Sequence, residues 1–268
     1  MATKMMGTEH YIYRRDGRVY VYQVGGGEPV IFLHAVGSSG MTWDPVLDQL
    51  ARHFTCYNID MPGFDHSDIP PRQYGVEDYA QALVDVIDGL GLEQVNLVGD
   101  HTGALLSIVL AGSYPERVKR VVLDGLPGWD SRSGKAIWEK FFLARFTDTT
   151  SYHLSVDPLI TWEEAKAKDP KMERAAWEKA DGIHKRSRLW ERMTHEKTTS
   201  YDAVSAAGRV KRPTLLLYGD GDILLRGAAT ANEQIKGSVL KIIPDTPGTV
   251  HTVRPDLFVR ETTAFLQQ

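Results

Sequence analysis

The stretch Val95–Gly103, Val-Asn-Leu-Val-Gly-Asp-His-Thr-Gly, constrains the fold of this chain more than any other. An apolar strand enters a turn bracketed by Gly99 and Gly103, and a small-residue helix leaves it from about Ala104 to Tyr114. A turn this sharp lifts its central side chain clear of the sheet. The central residue here is His101.

The rest of the chain extends that unit into a pattern. Tyr11–Tyr13 and Arg18–Gln23 flank Asp16-Gly17, which predicts an opening hairpin. Strands are then predicted at Val30–Leu33, Thr55–Ile59, Val118–Leu123, Thr214–Tyr218 and Val239–Ile243. Helices are predicted at about Asp44–Arg52, Arg226–Ile235 and Pro255–Leu266. Val76, Tyr79, Ala80, Leu83, Val84, Ile87 and Leu90 recur at helical spacing and predict a further amphipathic helix. Strands alternating with helices imply an α/β fold with a mostly parallel central sheet flanked by helices. Ligands then belong at the carboxyl ends of the strands.

Residues 1–127 and 208–268 carry this alternation, whereas 128–207 is helical and charged. We expect it to be a helical cap inserted after the strand that ends at Asp124. It holds Trp129, Trp138, Trp162, Trp177 and Trp190, five of the six tryptophans. Such aromatics either line an apolar substrate pocket, with Trp129 the candidate, or bind cap to core. The basic run His184–Arg192 reads as a solvated helix face.

Composition excludes more than it selects. A formal charge of −4 gives no electrostatic reason for nucleic acid or an anionic membrane as partner. A single cysteine, Cys56, falls in an apolar-alternating run and reads as a buried strand residue. It excludes an intramolecular disulfide and fits a reducing, cytoplasmic location. Met1–Gly7 lacks the apolar core of a signal peptide, and no segment is long enough to span a bilayer. The expected partner is a small-molecule substrate, and the sequence leaves the oligomeric state open.

Four motifs in order resemble the α/β-hydrolase superfamily over nearly the whole chain. They are Leu33-His34-Ala35-Val36-Gly37-Ser38-Ser39 with Trp43, then Asp60-Met61-Pro62-Gly63-Phe64-Asp65-His66-Ser67, then the elbow, then Tyr218-Gly219-Asp220-Gly221-Asp222. The resemblance implies a nucleophile, a base, an acid that orients the base, and an oxyanion hole. By that resemblance Val36 and Thr102 supply the oxyanion N–H groups, with His34 and Ala35 in the same loop, and Asp222 is the acid. His101 stands where the family has its nucleophilic serine. A gap-free match of Ile243-Pro244 and Arg254-Pro255 puts Gly248 at the base position, with His251 three residues later. Either the loop bulges and brings His251 to Asp222 as base, or His251 is a non-catalytic second histidine. Asp124 is a second candidate orienter or a cap of the chain's exit, and Asp100 either reaches His101 or points elsewhere.

Imidazole ordinarily titrates near neutrality, so His101 is a chemically reasonable base or nucleophile. The expected function is an enzyme acting without a cofactor on a small apolar carbonyl compound, by ester, lactone or C–C bond hydrolysis. The alternatives are a lyase or decarboxylase on the same fold, or an inactive ligand-binding relative. His34, Asp65, His66, Asp100, His101 and His251 all fall near strand ends, and Asp65 replaces the usual glycine of its motif. None shows compact metal-ligand spacing, so no metal is expected.

Overall fold

The computed structural model describes residues 5–143, 161–168 and 170–268. Residues 144–160 of the expected cap lie outside it, as do the side chains of residues 184–186, 188 and 189 in the basic run. Eight strands form one sheet: β1 (Thr8–Arg14), β2 (Gly17–Gly25), β3 (Glu28–Leu33), β4 (Phe54–Ile59), β5 (Val95–Asp100), β6 (Val118–Asp124), β7 (Thr214–Gly219) and β8 (Val239–Ile243). Their order across the sheet is β1-β2-β4-β3-β5-β6-β7-β8. Only the β1–β2 and β2–β4 pairings are antiparallel. Every residue of β5 and β7 is buried, as a strand covered on both faces requires, while the edge strand β8 is largely exposed.

Helices cover the two faces. On one lie α2 (Val76–Gly89) and α3 (Thr102–Ser113), which bury Leu83, Ile87, Leu105 and Val109. On the other lie α1 (Asp44–Leu50) and α10 (Pro255–Leu266), which bury Leu50, Phe258 and Phe265 around Trp43. Each such side chain contributes about 1.5–3 kcal/mol on burial, so the two layers hold the strand ends rigidly. Cys56 is fully buried in β4, and that burial pushes its thiol pKa up to about 12.

Between β6 and β7 the described chain is helical. The helix α4 (Ser131–Ile137) runs into a π-helical turn, Trp138–Phe142, and α5 (Trp162–Lys168), α6 (Arg174–Thr199) and α7 (Ala203–Ala207) follow. Trp190 of α6 joins this region to the sheet domain. Its indole N–H donates to Tyr79 Oη at 2.8 Å, and a Cβ on Gly63 would lie 1.8 Å from its ring. After β7 come α8 (Ala228–Gln234) and a short helix, α9 (Val250–Val253), that the sequence pattern did not foretell.

Candidate active site

The elbow between β5 and α3 is built on contacts that only glycine tolerates. A Cβ at Gly99 would lie 2.4 Å from the Gly103 carbonyl oxygen, and one at Gly103 would lie 2.0 Å from that of Leu33. His101 sits at the apex with φ 46°, a backbone conformation that L-residues rarely adopt. Its N–H donates to Asp124 O at 3.0 Å, and its carbonyl accepts from Leu105 N.

The His101 side chain turns toward β7. Nε2–H donates to Asp222 Oδ2 at 3.1 Å, and Asp222 Oδ1 accepts from Leu224 N at 2.7 Å. The His101 side chain is 24% exposed and that of Asp222 is fully buried, so the pair is open on the histidine side. With Nε2 committed to the carboxylate, Nδ1 is the ring nitrogen left for another partner. Gly125, with φ +78°, lies beneath the pair: a Cβ there would come within 2.4 Å of His101 Cδ2 and 2.9 Å of Asp222 Oδ2. Gly125 was not among the candidate residues, although a glycine directly after the strand-ending Asp124 was the available signal.

His251 does not reach Asp222. It lies in α9, where Asp124 accepts Val250 N–H at 3.0 Å, His251 N–H at 2.9 Å and His251 Nδ1–H at 2.8 Å. Its Nε2 lies 3.1 Å from Thr42 Oγ1 and 4.0 Å from Asp100 Oδ2, and its ring packs on Trp43. Both His251 and Asp124 are completely buried. The loop after β8 does take an irregular path, with Asp245 at φ +53°, but it delivers His251 to Asp124, while Asp222 is engaged by His101. Asp124 is thus the partner of His251. Asp100, also buried, lies between the two pairs with Oδ1 lacking any hydrogen-bond partner.

These carboxylates set the electrostatics. Burial opposes a charge on His101, but Asp100, the Asp222 hydrogen bond and Asp124 outweigh it and raise its pKa to about 9. This is well above the near-neutral value that imidazole shows in water. Burial likewise opposes ionisation of Asp222, and the His101 hydrogen bond reverses the balance and lowers its pKa. Desolvation pushes the Asp100 carboxyl up. His251 is raised despite its burial, through Asp100 and Asp124.

In the loop after β3, one side chain acts as a brace and one backbone N–H is left open. His34 is fully buried, with Nδ1–H donating to Ala35 O at 2.7 Å and Nε2 accepting Met61 N–H at 3.0 Å. Burial keeps it neutral by lowering its pKa. It therefore ties the loop after β3 to the loop after β4, and Ala35 serves through its carbonyl, instead of facing a ligand. No described residue accepts a hydrogen bond from the N–H of Val36 or of Thr102.

His101 and Thr102 open into a cavity of about 120 Å³ walled by Leu105, Pro127, Trp129, Phe142 and Leu224, among others. Trp129, Phe142, Ile223 and Leu224 also line a larger, mostly apolar space of about 750 Å³ beneath α4. Of the five tryptophans after Asp124, Trp129 therefore borders the cavity and Trp190 fastens helix α6 to the sheet domain. Leu105, Phe142 and His195 also border the smaller cavity without having been singled out in the sequence. No described helix is long and apolar enough to cross a membrane.

Comparison with known proteins follows the same geometry. A family model described as the alpha/beta hydrolase fold matches residues 28–247. The 2-hydroxy-6-oxo-2,4-heptadienoate hydrolase of Pseudomonas putida is 37% identical over 112 residues, 40% of this chain and 41% of that one. The match thus spans about two fifths of that relative. The 2-(acetamidomethylene)succinate hydrolase of Mesorhizobium japonicum is 24% identical over 270 residues, 97% of each chain. Among solved structures, the enol-lactonase from Burkholderia xenovorans superposes with a TM-score of 0.77 at 18% identity, covering 97% of this chain and 100% of that one. The CarC serine hydrolase of carbazole degradation gives 0.79 at 21% identity, covering 98% and 99%. At these identities the superpositions speak for the fold alone.

Proposed function

Because the chain belongs to the α/β-hydrolase fold family, we propose that it is an enzyme acting without a cofactor on a small, mostly apolar carbonyl compound such as an ester, a lactone or a β-diketone. One observation carries the reading: the elbow residue His101 is at once a wall of the apolar cavity and the partner of a buried carboxylate, Asp222. His101 takes the nucleophile's place. Asp222 holds Nε2–H and so presents Nδ1 to the cavity, where neutral imidazole removes a proton from water as it attacks the carbonyl carbon. The N–H groups of Val36 and Thr102 receive the developing oxyanion. The region 128–207 acts as the cap, with Trp129 and Phe142 supplying apolar contact for the substrate. The names of the relatives, hydrolases of carbonyl compounds, support this class.

A second reading, proton transfer in a lyase or decarboxylase, is favoured by the raised pKa of His101. A ring that stays protonated at neutral pH is suited to donate to an enolate. The two readings have opposite pH signatures. Hydrolysis through neutral imidazole gives a kcat/KM that climbs with pH and levels above about 9, whereas donation by imidazolium falls away over the same range.

The test is turnover of a panel of short-chain aryl esters, lactones and β-diketones by wild type, His101→Ala and His101→Ser. The proposal expects wild-type activity to fall on the order of 10³-fold in His101→Ala, with solvent oxygen-18 entering a carboxylate product. Full activity in His101→Ala on a confirmed substrate would refute the role given to His101. Turnover without oxygen-18 incorporation would select the lyase reading.

A further inference from the structure

We infer that Thr199 selects the substrate: its hydroxyl donates to a second carbonyl oxygen, one carbon beyond the carbonyl at which His101 acts. Compounds with two such carbonyls, β-keto esters and β-diketones, are then the preferred class. The inference rests on the reading of the cavity beside His101 as the substrate site. The described polar side chains on that wall are His101, Thr102, His195, Thr198 and Thr199, and the rest of the described wall is apolar.

Two adjacent threonines at the end of α6 behave differently. The Thr198 hydroxyl donates one turn back, to Thr194 O at 2.8 Å, and Thr194 does the same to Trp190 O at 2.9 Å. Helical threonines commonly make this bond. Thr199 is only 5% exposed, yet its hydroxyl does not take the equivalent bond to His195 O and has no partner among the described residues. A hydroxyl withdrawn this far from water is ordinarily paired. Its oxygen is not sealed in protein either, so it opens to the cavity whose wall it forms. The position is fixed: the missing side chain of Gly134 lets α4 close on the Thr199 carbonyl, and Ala203 N–H donates to Trp129 O at 3.1 Å just beyond the helix end.

Size places the second oxygen close to the first. The cavity of about 120 Å³ holds only a short fragment of a substrate, and the chain beyond it passes Trp129 and Phe142 into the mostly apolar space of about 750 Å³. A polar group read by Thr199 therefore belongs to the fragment beside His101. In the proposed chemistry the reacting oxygen sits on the elbow side, against the N–H groups of Val36 and Thr102. Oxygens on adjacent carbons would crowd that side, whereas one intervening carbon lets the second turn to the α6 wall. A ligand lacking that oxygen leaves the Thr199 hydroxyl unpaired, which is how a buried polar group discriminates.

The probes are methyl 3-oxooctanoate and methyl octanoate, which differ by one oxygen. Calorimetry gives the ratio of their affinities for His101→Ala, in which the proposed chemistry is removed, and kinetics give the ratio of their kcat/KM values in the otherwise unaltered chain. Each ratio is read again with Thr199→Val, which keeps the shape of the side chain and breaks no hydrogen bond, and with Thr199→Ser. The keto ester should be favoured by roughly tenfold, the preference should collapse in Thr199→Val, and Thr199→Ser should restore it. Equal affinity for the two esters, or a preference that Thr199→Val leaves intact, would overturn the inference. The expected affinity ratios without turnover of either ester would support it and count against the hydrolytic reading alone.

Discussion

The molecule holds two histidine–aspartate pairs a few ångströms apart, and they differ in what lies above them. His101–Asp222 has a 3.1 Å hydrogen bond and a ring 24% exposed to a cavity. His251–Asp124 has a 2.8 Å bond and no exposure at either side chain, with Trp43 stacked on the ring. The chemistry of the groups is the same, so the difference lies in access. A buried ion pair braces the backbone that donates to it, whereas a pair with one open nitrogen can exchange a proton with a ligand. In this chain the histidine at the elbow has the open position, and the histidine after the last strand has the closed one.

That contrast breaks most visibly in stability. His251→Ala leaves Asp124 buried without its ring partner, and removal of one member of such a pair costs about 3–5 kcal/mol. Urea denaturation should show that loss for His251→Ala and less than half of it for His101→Ala, whose site opens to water. Equal losses would mean that the two pairs are equally structural.

The next effect comes from Gly125, whose missing Cβ makes room for the open pair. Gly125→Ala should cost about 1–3 kcal/mol through overpacking and drive the His101 ring off Asp222. Catalytic activity should then fall nearly as far as in His101→Ala. Wild-type activity in a folded Gly125→Ala protein would show that the pairing is dispensable.

The smallest effect is a pH dependence. His101 has a folded-state pKa raised to about 9 from an unfolded value near 6.5. Its contribution to stability is therefore complete below about pH 6.5 and lost as pH rises through 9. The depressed pKa of Asp222 sets the acid limit, since its contribution disappears as pH falls through the acid range. The stability gap between wild type and His101→Gln should be widest near pH 6 and should close by pH 10. A gap that widens with pH would reverse the assignment.

The sequence carried the frame of this site but not its pairing. The helix Pro255–Leu266 has the bounds its periodicity predicted, and the glycines around His101 announced the elbow that β5 and α3 form. The partner of His251 was not legible. Four residues, Val250–Val253, are too few to show a helical period, yet that turn aims two backbone N–H groups and the ring at Asp124. Counting without gaps therefore put Gly248 at the base position, whereas its carbonyl instead packs against Gly219 at the end of β7. The raised pKa of His101 was hidden for a related reason. It depends on Asp100 and Asp124 as well as Asp222, which are brought together only by the register of β5 against β6 and by the turn after β7.

The most direct test is proton NMR titration of the His101 Cε1–H resonance, assigned with His101→Gln and followed from pH 5 to 10.5 in wild type and Asp222→Asn. The wild-type midpoint should lie near 9 and move toward 6.5 when Asp222 loses its charge. A wild-type midpoint near 6.5, or one that Asp222→Asn leaves unchanged, would contradict the pairing on which the proposed chemistry rests.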